Sequence, residues 1–302
     1  MGLSRTWEFN DEVVRGWIVS HGRVAVDRWL ADAHARAAWC SAAWGLTVEG
    51  FLPGGSLSCV LACRRVDGVP AVLKLLAPWA NGAIATEALA LAAWSGHGVV
   101  PLLERTSDGR AFLLARVSPG RPFSPSGDDR NDCERVARTL GALASAPVVA
   151  GLPPLCAAVH ARFSRARIAA RNRRSSVSER ALDDAERRAS ELARTPSRQA
   201  PVHGDAQNKN LLVDGVEEAL VAIDPEPGIG DPHFDPALWA LTHRPGAGVR
   251  ARCGLLAGLL GLDQDRLWAW CEALVAAEVA LDVAERARAH RELLRCSGAQ
   301  PG

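Results

Sequence analysis

The sequence predicts an α+β protein with a small strand-rich N-terminal lobe and a larger, mainly helical C-terminal lobe. Three observations carry that expectation. Short apolar runs separated by turn residues crowd residues 46–117, helical periodicity dominates beyond them, and Ser118-Pro119-Gly120-Arg121-Pro122 is a linker by composition. The expected division is 1–117 for the N-terminal helices with the β-rich lobe, and 118–302 for the helical lobe.

Residues 11–43 read as helical, with Val13, Val14, Trp17 and Ile18 on one face and a second periodic run from Val24 to Trp44. Residues 46–51, 57–66 and 69–76 read as strands, because Pro53-Gly54-Gly55-Ser56 and Asp67-Gly68 between them are turn chemistry. An Ala-rich helix spans 80–95 and stops at Ser95-Gly96, and residues 99–105 and 111–117 form a hairpin around Asp108-Gly109. Beyond the linker only a strand pair around 211–223 interrupts the helices. Residues 160–198 alternate Arg with Glu and Asp, the pattern of a solvated helical hairpin laced with i,i+4 pairs.

The bulk numbers exclude several classes. A chain of 302 residues with 48% hydrophobic and 23% charged residues can bury a large core, and a net charge of +1 offers no general attraction for nucleic acid or a membrane surface. No apolar stretch reaches the roughly 20 residues that span a bilayer. Arg5, Glu8, Asp11 and Glu12 leave no apolar signal segment, and eight cysteines without Cys-x-x-Cys spacing suit a reducing compartment, so a cytoplasmic protein is expected. Nothing in the sequence speaks to oligomeric state. Of 35 basic residues only Lys74 and Lys209 are lysines, so each marks a position to examine.

Two segments carry chemistry. In His203-Gly204-Asp205-Ala206-Gln207-Asn208-Lys209-Asn210 a carboxylate is followed five residues later by an amide, just before the apolar run Leu211-Leu212-Val213. In Ile223-Asp224-Pro225-Glu226-Pro227 a second carboxylate ends the apolar run 219–223, and an Asp214-Gly215 turn would bring Asn210 and Asp224 side by side. A carboxylate to orient a hydroxyl, with an amide and a carboxylate to hold Mg²⁺, are the parts that phosphoryl transfer needs, so Asp205 is the candidate base and Asn210 and Asp224 are candidate metal ligands. Lys74 interrupts the apolar strand 71–76. It either reaches solvent at a strand edge or pairs with Glu87 and points its ammonium at nucleotide phosphates. Gly54, Gly55 and Ser56 form either an ordinary hairpin turn or a loop that covers phosphates. His203 is expected to be structural. Asp235 is read as a helix N-cap ahead of Pro236, bracing the turn together with Asp231.

His-Gly-Asp with Asn five residues after the Asp, then Ile-Asp-Pro-Glu-Pro and Gly-Asp-Pro-x-x-Asp, resembles the aminoglycoside phosphotransferase family. The likeness is strongest to its streptomycin 6-phosphotransferase and hydroxyurea phosphotransferase branch. It spans roughly residues 44–243 and includes Ala71-Val72-Leu73-Lys74-Leu75 and the helix from Glu87 to Trp94. The resemblance implies a two-lobed, protein-kinase-like fold, ATP with Mg²⁺, and transfer of the γ-phosphoryl group to a hydroxyl of a streptomycin-like aminocyclitol antibiotic. It also implies that Lys74 holds the α/β-phosphates, that Glu87 orients Lys74, and that backbone near Ala115 to Val117 receives adenine. Gln207 stands where the family often has His, and Lys209 either reaches phosphate or faces solvent. A cationic acceptor calls for acidic partners, for which Glu226, Glu272, Glu278 and Asp282 are the candidates. The alternatives are the same chemistry on hydroxyurea or a biosynthetic hydroxyl compound, and a non-catalytic nucleotide-binding module.

Overall fold

The computed structural model describes residues 8–9, 11–52, 58–80, 84–173, 177–215, 218–243 and 248–281. The chain divides into two compact units, Met1–Ser95 with Val100–Arg116 and Gly96–Val99 with Val117–Gly302.

In the first unit, helices α1 (Asp11–His21) and α2 (Arg23–Trp44) break at Gly22. Strands β1 (Leu46–Phe51), β2 (Ser58–Arg65), β3 (Pro70–Leu76), β4 (Leu102–Arg105) and β5 (Ala111–Ala115) form one antiparallel sheet in the order β1-β2-β3-β5-β4, with α3 (Ile84–Ala93) between β3 and β4 in the chain. The two N-terminal helices bury Trp17, Val26, Trp29, Ala33, Ala37 and Cys40 in a core that also takes Ala71, Leu73 and Leu75 of β3. Side chains alternate faces along a strand, so those three residues put Val72 and Lys74 on the opposite face. The position of Lys74 is thus set by which β3 residues the helices bury.

In the second unit, β6 (Pro119–Pro122), β8 (Leu211–Asp214) and β9 (Ala219–Ala222) form a small sheet, and β7 (Ala200–Val202) pairs antiparallel with β10 (Gly228–Gly230). Around them lie α4 (Asp129–Ala144), α5 (Leu155–Arg173), α6 (Glu179–Arg194), α7 (Phe234–Thr242), α8 (Val249–Leu260) and α9 (Gln264–Leu281). Gly98 and Val99 belong here because Ala222 donates its N–H to the Gly98 carbonyl at 2.8 Å. Helices α5 and α6 form the expected charged hairpin, but its ion pairs run mostly across the two helices. Arg167 reaches Asp183 and Glu186 at 2.6 Å each and Arg171 reaches Glu179 at 2.7 Å, whereas i,i+4 pairing was the expectation. Antiparallel helices bring oppositely charged rows face to face, which a one-dimensional reading does not see. Among the described residues no helix is long and apolar enough to cross a membrane.

Candidate active site

Lys74 lies opposite Phe112 in the β3–β5 register, and its Nζ sits 5.6 Å from that ring's centroid. Its side chain is 7% exposed and donates to Glu87 Oε1 of α3 at 2.6 Å, with the Glu87 side chain 4% exposed. The solvent-facing alternative is therefore excluded. Burial makes each charge dependent on the other, since an uncompensated charge here would cost about 3–5 kcal/mol. Ala115 ends β5 and donates its N–H to the Pro101 carbonyl at 3.0 Å. Val117 is half-buried at the start of the second unit. Gly54, Gly55, Ser56 and Asp282 lie outside the described residues.

In the second unit, the loop from His203 to Asn210 is built by backbone geometry before any chemistry. Gly204 has φ 80°, and a Cβ there would stand 2.0 Å from the Glu226 carbonyl oxygen, so no other residue fits. The adjacent amides of His203 and Gly204 donate to the two oxygens of Asp235 at 2.6 and 2.9 Å. Asp235 is therefore not the helix N-cap. It lies inside α7 and clamps the loop, which its place before Pro236 concealed. Asp231 holds other elements instead of that loop, accepting from His233 N at 3.1 Å, Arg266 Nε at 2.6 Å and Trp270 Nε1 at 2.8 Å, so of the two expected braces Asp235 alone meets the turn amides. Gly204→Ala is expected to cost about 2 kcal/mol or more through clash and positive-φ strain, read as a lower Tm of the folded protein.

His203 is fully buried, and burial holds its pKa below the usual value despite the carboxylates of Asp235, Asp205 and Asp224 around it. The neutral ring accepts the Asp205 N–H on Nδ1 at 3.3 Å, a structural role as expected. Asp205 Oδ1 accepts from Arg162 at 3.0 Å and from Gln207 Nε2 at 2.8 Å. Its Oδ2 accepts from Asn210 Nδ2 at 2.8 Å and forms an ion pair with Lys209 Nζ at 3.1 Å. Burial alone would push the Asp205 carboxyl up, but the charges of Arg162 and Lys209 overcome it and hold the group well below the ordinary carboxylate range. It stays ionised throughout neutral pH.

The β8–β9 register pairs Leu211 with Ala222, and Ile223 donates its N–H to the Asn210 carbonyl at 2.9 Å, so Asn210 and Asp224 come from adjacent chain segments. The connecting turn is longer than Asp214-Gly215 alone, since Asp214 pairs with Ala219. Asp224 has φ 55°, an uncommon conformation for a residue with a side chain, of the kind that gathers at functional sites. Both amide hydrogens of Asn210 go to Asp205, one to the backbone oxygen at 2.9 Å and one to Oδ2, which leaves its amide oxygen as the atom able to ligate. With the Asp224 carboxylate this is an all-oxygen donor set of the kind Mg²⁺ takes, with phosphates and water completing it.

Two of the candidate acceptor carboxylates turn out to be ion-paired. Glu226 meets Arg165 at 2.6 Å. Glu278 of α9 is 1% exposed and bound by Arg162, so it acts as a buried counter-charge, which corrects its reading as an acceptor contact. Glu272 is half-buried on the same helix. The residue that sequence reasoning missed is Arg162. It is 2% exposed and joins Glu278, Asp205 Oδ1 and the Gly204 carbonyl at 2.9 Å, and burial notwithstanding, Glu278 and Asp205 hold it charged. A signal was present: Leu155, Val159, Phe163 and Ala166 mark the buried stripe of α5, and Arg162 lies within it. Thirty-three arginines hid the one on the wrong face.

Residues 43–285 match the family model described as aminoglycoside/hydroxyurea antibiotic resistance kinase. Over 230 residues the chain is 36% identical to the hydroxyurea phosphotransferase of Kitasatospora aureofaciens, covering 75% of this chain and 66% of that protein, just under two thirds of its length. Over 250 residues it is 34% identical to the streptomycin 6-kinase of Streptomyces glaucescens, covering 80% of each. The choline kinase LicA of Streptococcus pneumoniae superposes with a TM-score of 0.59 at 10% identity over 89% of this chain and all of that one (100%), a likeness of fold alone.

Proposed function

The chain belongs to the aminoglycoside/hydroxyurea antibiotic resistance kinase family, and from that premise we propose that it transfers the γ-phosphoryl group of ATP to a hydroxyl of a small antibiotic, streptomycin-like in the first instance. The observation that carries this reading is the Asp205 carboxylate, kept ionised and fixed in direction by Arg162, Gln207 and Asn210. Such a group is a weak base and a good director. It orients the acceptor oxygen as that oxygen forms its bond to phosphorus and the bond from phosphorus to the bridging oxygen breaks, releasing ADP. The hydroxyl proton then passes through Asp205 to solvent. Lys74, pinned by Glu87, supplies a fixed positive charge for phosphate oxygens. Asn210 and Asp224 would hold Mg²⁺, which when bound neutralises phosphate charge.

Backbone near Val117 would meet the adenine. The seven described cysteines are free thiols, which suits the cytoplasm. Phosphorylation would add negative charge and bulk to the antibiotic and so inactivate it.

A second acceptor, hydroxyurea, is favoured by one observation. Arg165 and Arg162 already neutralise Glu226 and Glu278, so a neutral acceptor fits these carboxylates more easily than a polycation. Purified protein with Mg-ATP, tested against streptomycin, other aminocyclitols and hydroxyurea with ADP release and product mass as readouts, decides between them. Glu226→Gln is expected to raise KM for a cationic acceptor by about two- to fivefold, since the pair is exposed, and to leave KM for hydroxyurea unchanged. ATP binding without transfer to any acceptor would instead support a non-catalytic nucleotide-binding module.

A further inference from the structure

Resting on the phosphotransferase reading of this site, the inference starts from the lone pairs of Asp205. A carboxylate has about four lone-pair positions, two on each oxygen. On Asp205 hydrogen bonds from Arg162 and Gln207 take both on Oδ1 and one from Asn210 takes one on Oδ2, while the Lys209 ammonium stands 3.1 Å from Oδ2 as an ion pair over what is left. An acceptor hydroxyl that donates to the remaining Oδ2 position meets the Lys209 ammonium there, unless one of the three hydrogen-bond donors leaves. Arg162, Gln207 and Asn210 are 2%, 6% and 6% exposed, whereas the Lys209 side chain is 62% exposed. A buried donor that lets go is left without a partner, while an exposed ammonium exchanges its carboxylate for water at little cost.

Residue type agrees. With 33 arginines against two lysines, the permanent buried contact is made by an arginine whose planar fork bridges three partners. The exposed contact is made by a lysine, a single charge on a flexible stem. We propose that Lys209 is a displaceable gate on Asp205. It occupies the Oδ2 position until an acceptor hydroxyl takes its place, and so keeps water from being oriented towards the γ-phosphoryl group. The reaction it suppresses joins a water oxygen to the γ-phosphorus, breaks the bond to the bridging oxygen, and yields ADP, phosphate and a proton with no acceptor modified. A bound acceptor has binding energy from the rest of the molecule with which to displace the ammonium, whereas a water molecule must meet the small cost of the exposed ion pair unaided, so hydrolysis is slowed by a modest factor.

The test compares wild-type protein with Lys209→Met and Lys209→Arg. Three readouts are ADP release without acceptor, phosphorylated acceptor formed, and acceptor Kd by calorimetry without nucleotide; melting curves verify folding. Lys209→Met is expected to raise the ratio of hydrolysis to transfer about fivefold and to lower acceptor KM and Kd by up to about fivefold, the scale of one exposed ion pair. Lys209→Arg, which keeps the charge and carries it on a planar fork of N–H donors, is expected to leave the ratio at or below wild type and to weaken acceptor binding. An unchanged or lowered ratio in Lys209→Met overturns the gate, as do parallel losses in both variants, the mark of a merely structural contact. Failure of the phosphotransferase reading would show in the wild type as ADP release with no phosphorylated acceptor. The gate is then judged on hydrolysis alone, supported by a rise in Lys209→Met and overturned by none.

Discussion

Asp205→Asn is expected to lower kcat for phosphoryl transfer by about 10²–10⁴-fold while leaving nucleotide affinity nearly unchanged. The carboxylate offers its two oxygens to four positively polarised groups, hydrogen-bonded Arg162 and Gln207 on one side and hydrogen-bonded Asn210 with the ion-paired Lys209 on the other. An asparagine has one oxygen and one NH₂, so whichever way it turns, its two N–H groups face a pair of donors. The buried Arg162 also loses one of its two carboxylate partners. The acceptor hydroxyl then has neither a fixed direction nor an ionised group to receive its proton. The check is a steady-state assay beside binding of a non-hydrolysable nucleotide. Retention of kcat would remove Asp205 from the reaction.

Arg162→Met is expected to have the next largest effect, although Arg162 would act only through Asp205. Removing the guanidinium leaves Glu278 and Asp205 as two buried carboxylates without their shared cation, a loss of about 3–5 kcal/mol in stability, and about 10²-fold in kcat/KM follows as the carboxylate loses its direction. The pH dependence separates this from simple loosening. In the wild type the Asp205 pKa is depressed, so the group is charged above the ordinary carboxylate value and loses its charge only as pH falls well below it. No acid limb from Asp205 is expected near neutrality. Without the cation, burial dominates, the pKa rises, and an acid limb in kcat/KM moves up towards neutral pH. The double variant Arg162→Met with Glu278→Gln is expected to be less damaged than the two single effects summed, because it removes charge and counter-charge together. Additive losses and an unshifted pH profile would reduce Arg162 to a packing residue.

Much of this was legible in one dimension. The five strands of the first unit and α3 followed from apolar runs and turn residues, with ends off by a few positions, because burial periodicity and Gly, Pro, Asn and Asp chemistry are local. Lys74 was conspicuous as a charge in an apolar strand, and Glu87 was its expected partner. The spacing of Asp205, Asn210 and Asp224 was readable because a hairpin links nearby segments.

What the sequence by itself determined is therefore the family, the order of elements, and the residues whose partners lie within about twenty positions or whose type is out of place. Only the tertiary structure decided the rest. It turned Asp235 from a helix cap into the clamp on the His203 and Gly204 amides, and it made Glu278 a buried counter-ion. It singled out Arg162, which is 43 residues from Asp205 and 116 from Glu278, as the cation joining them. The physical reason is range. Secondary structure and hairpin register follow from neighbouring side chains. The partner of a buried charge is chosen by which helices pack together, and no local pattern records that choice.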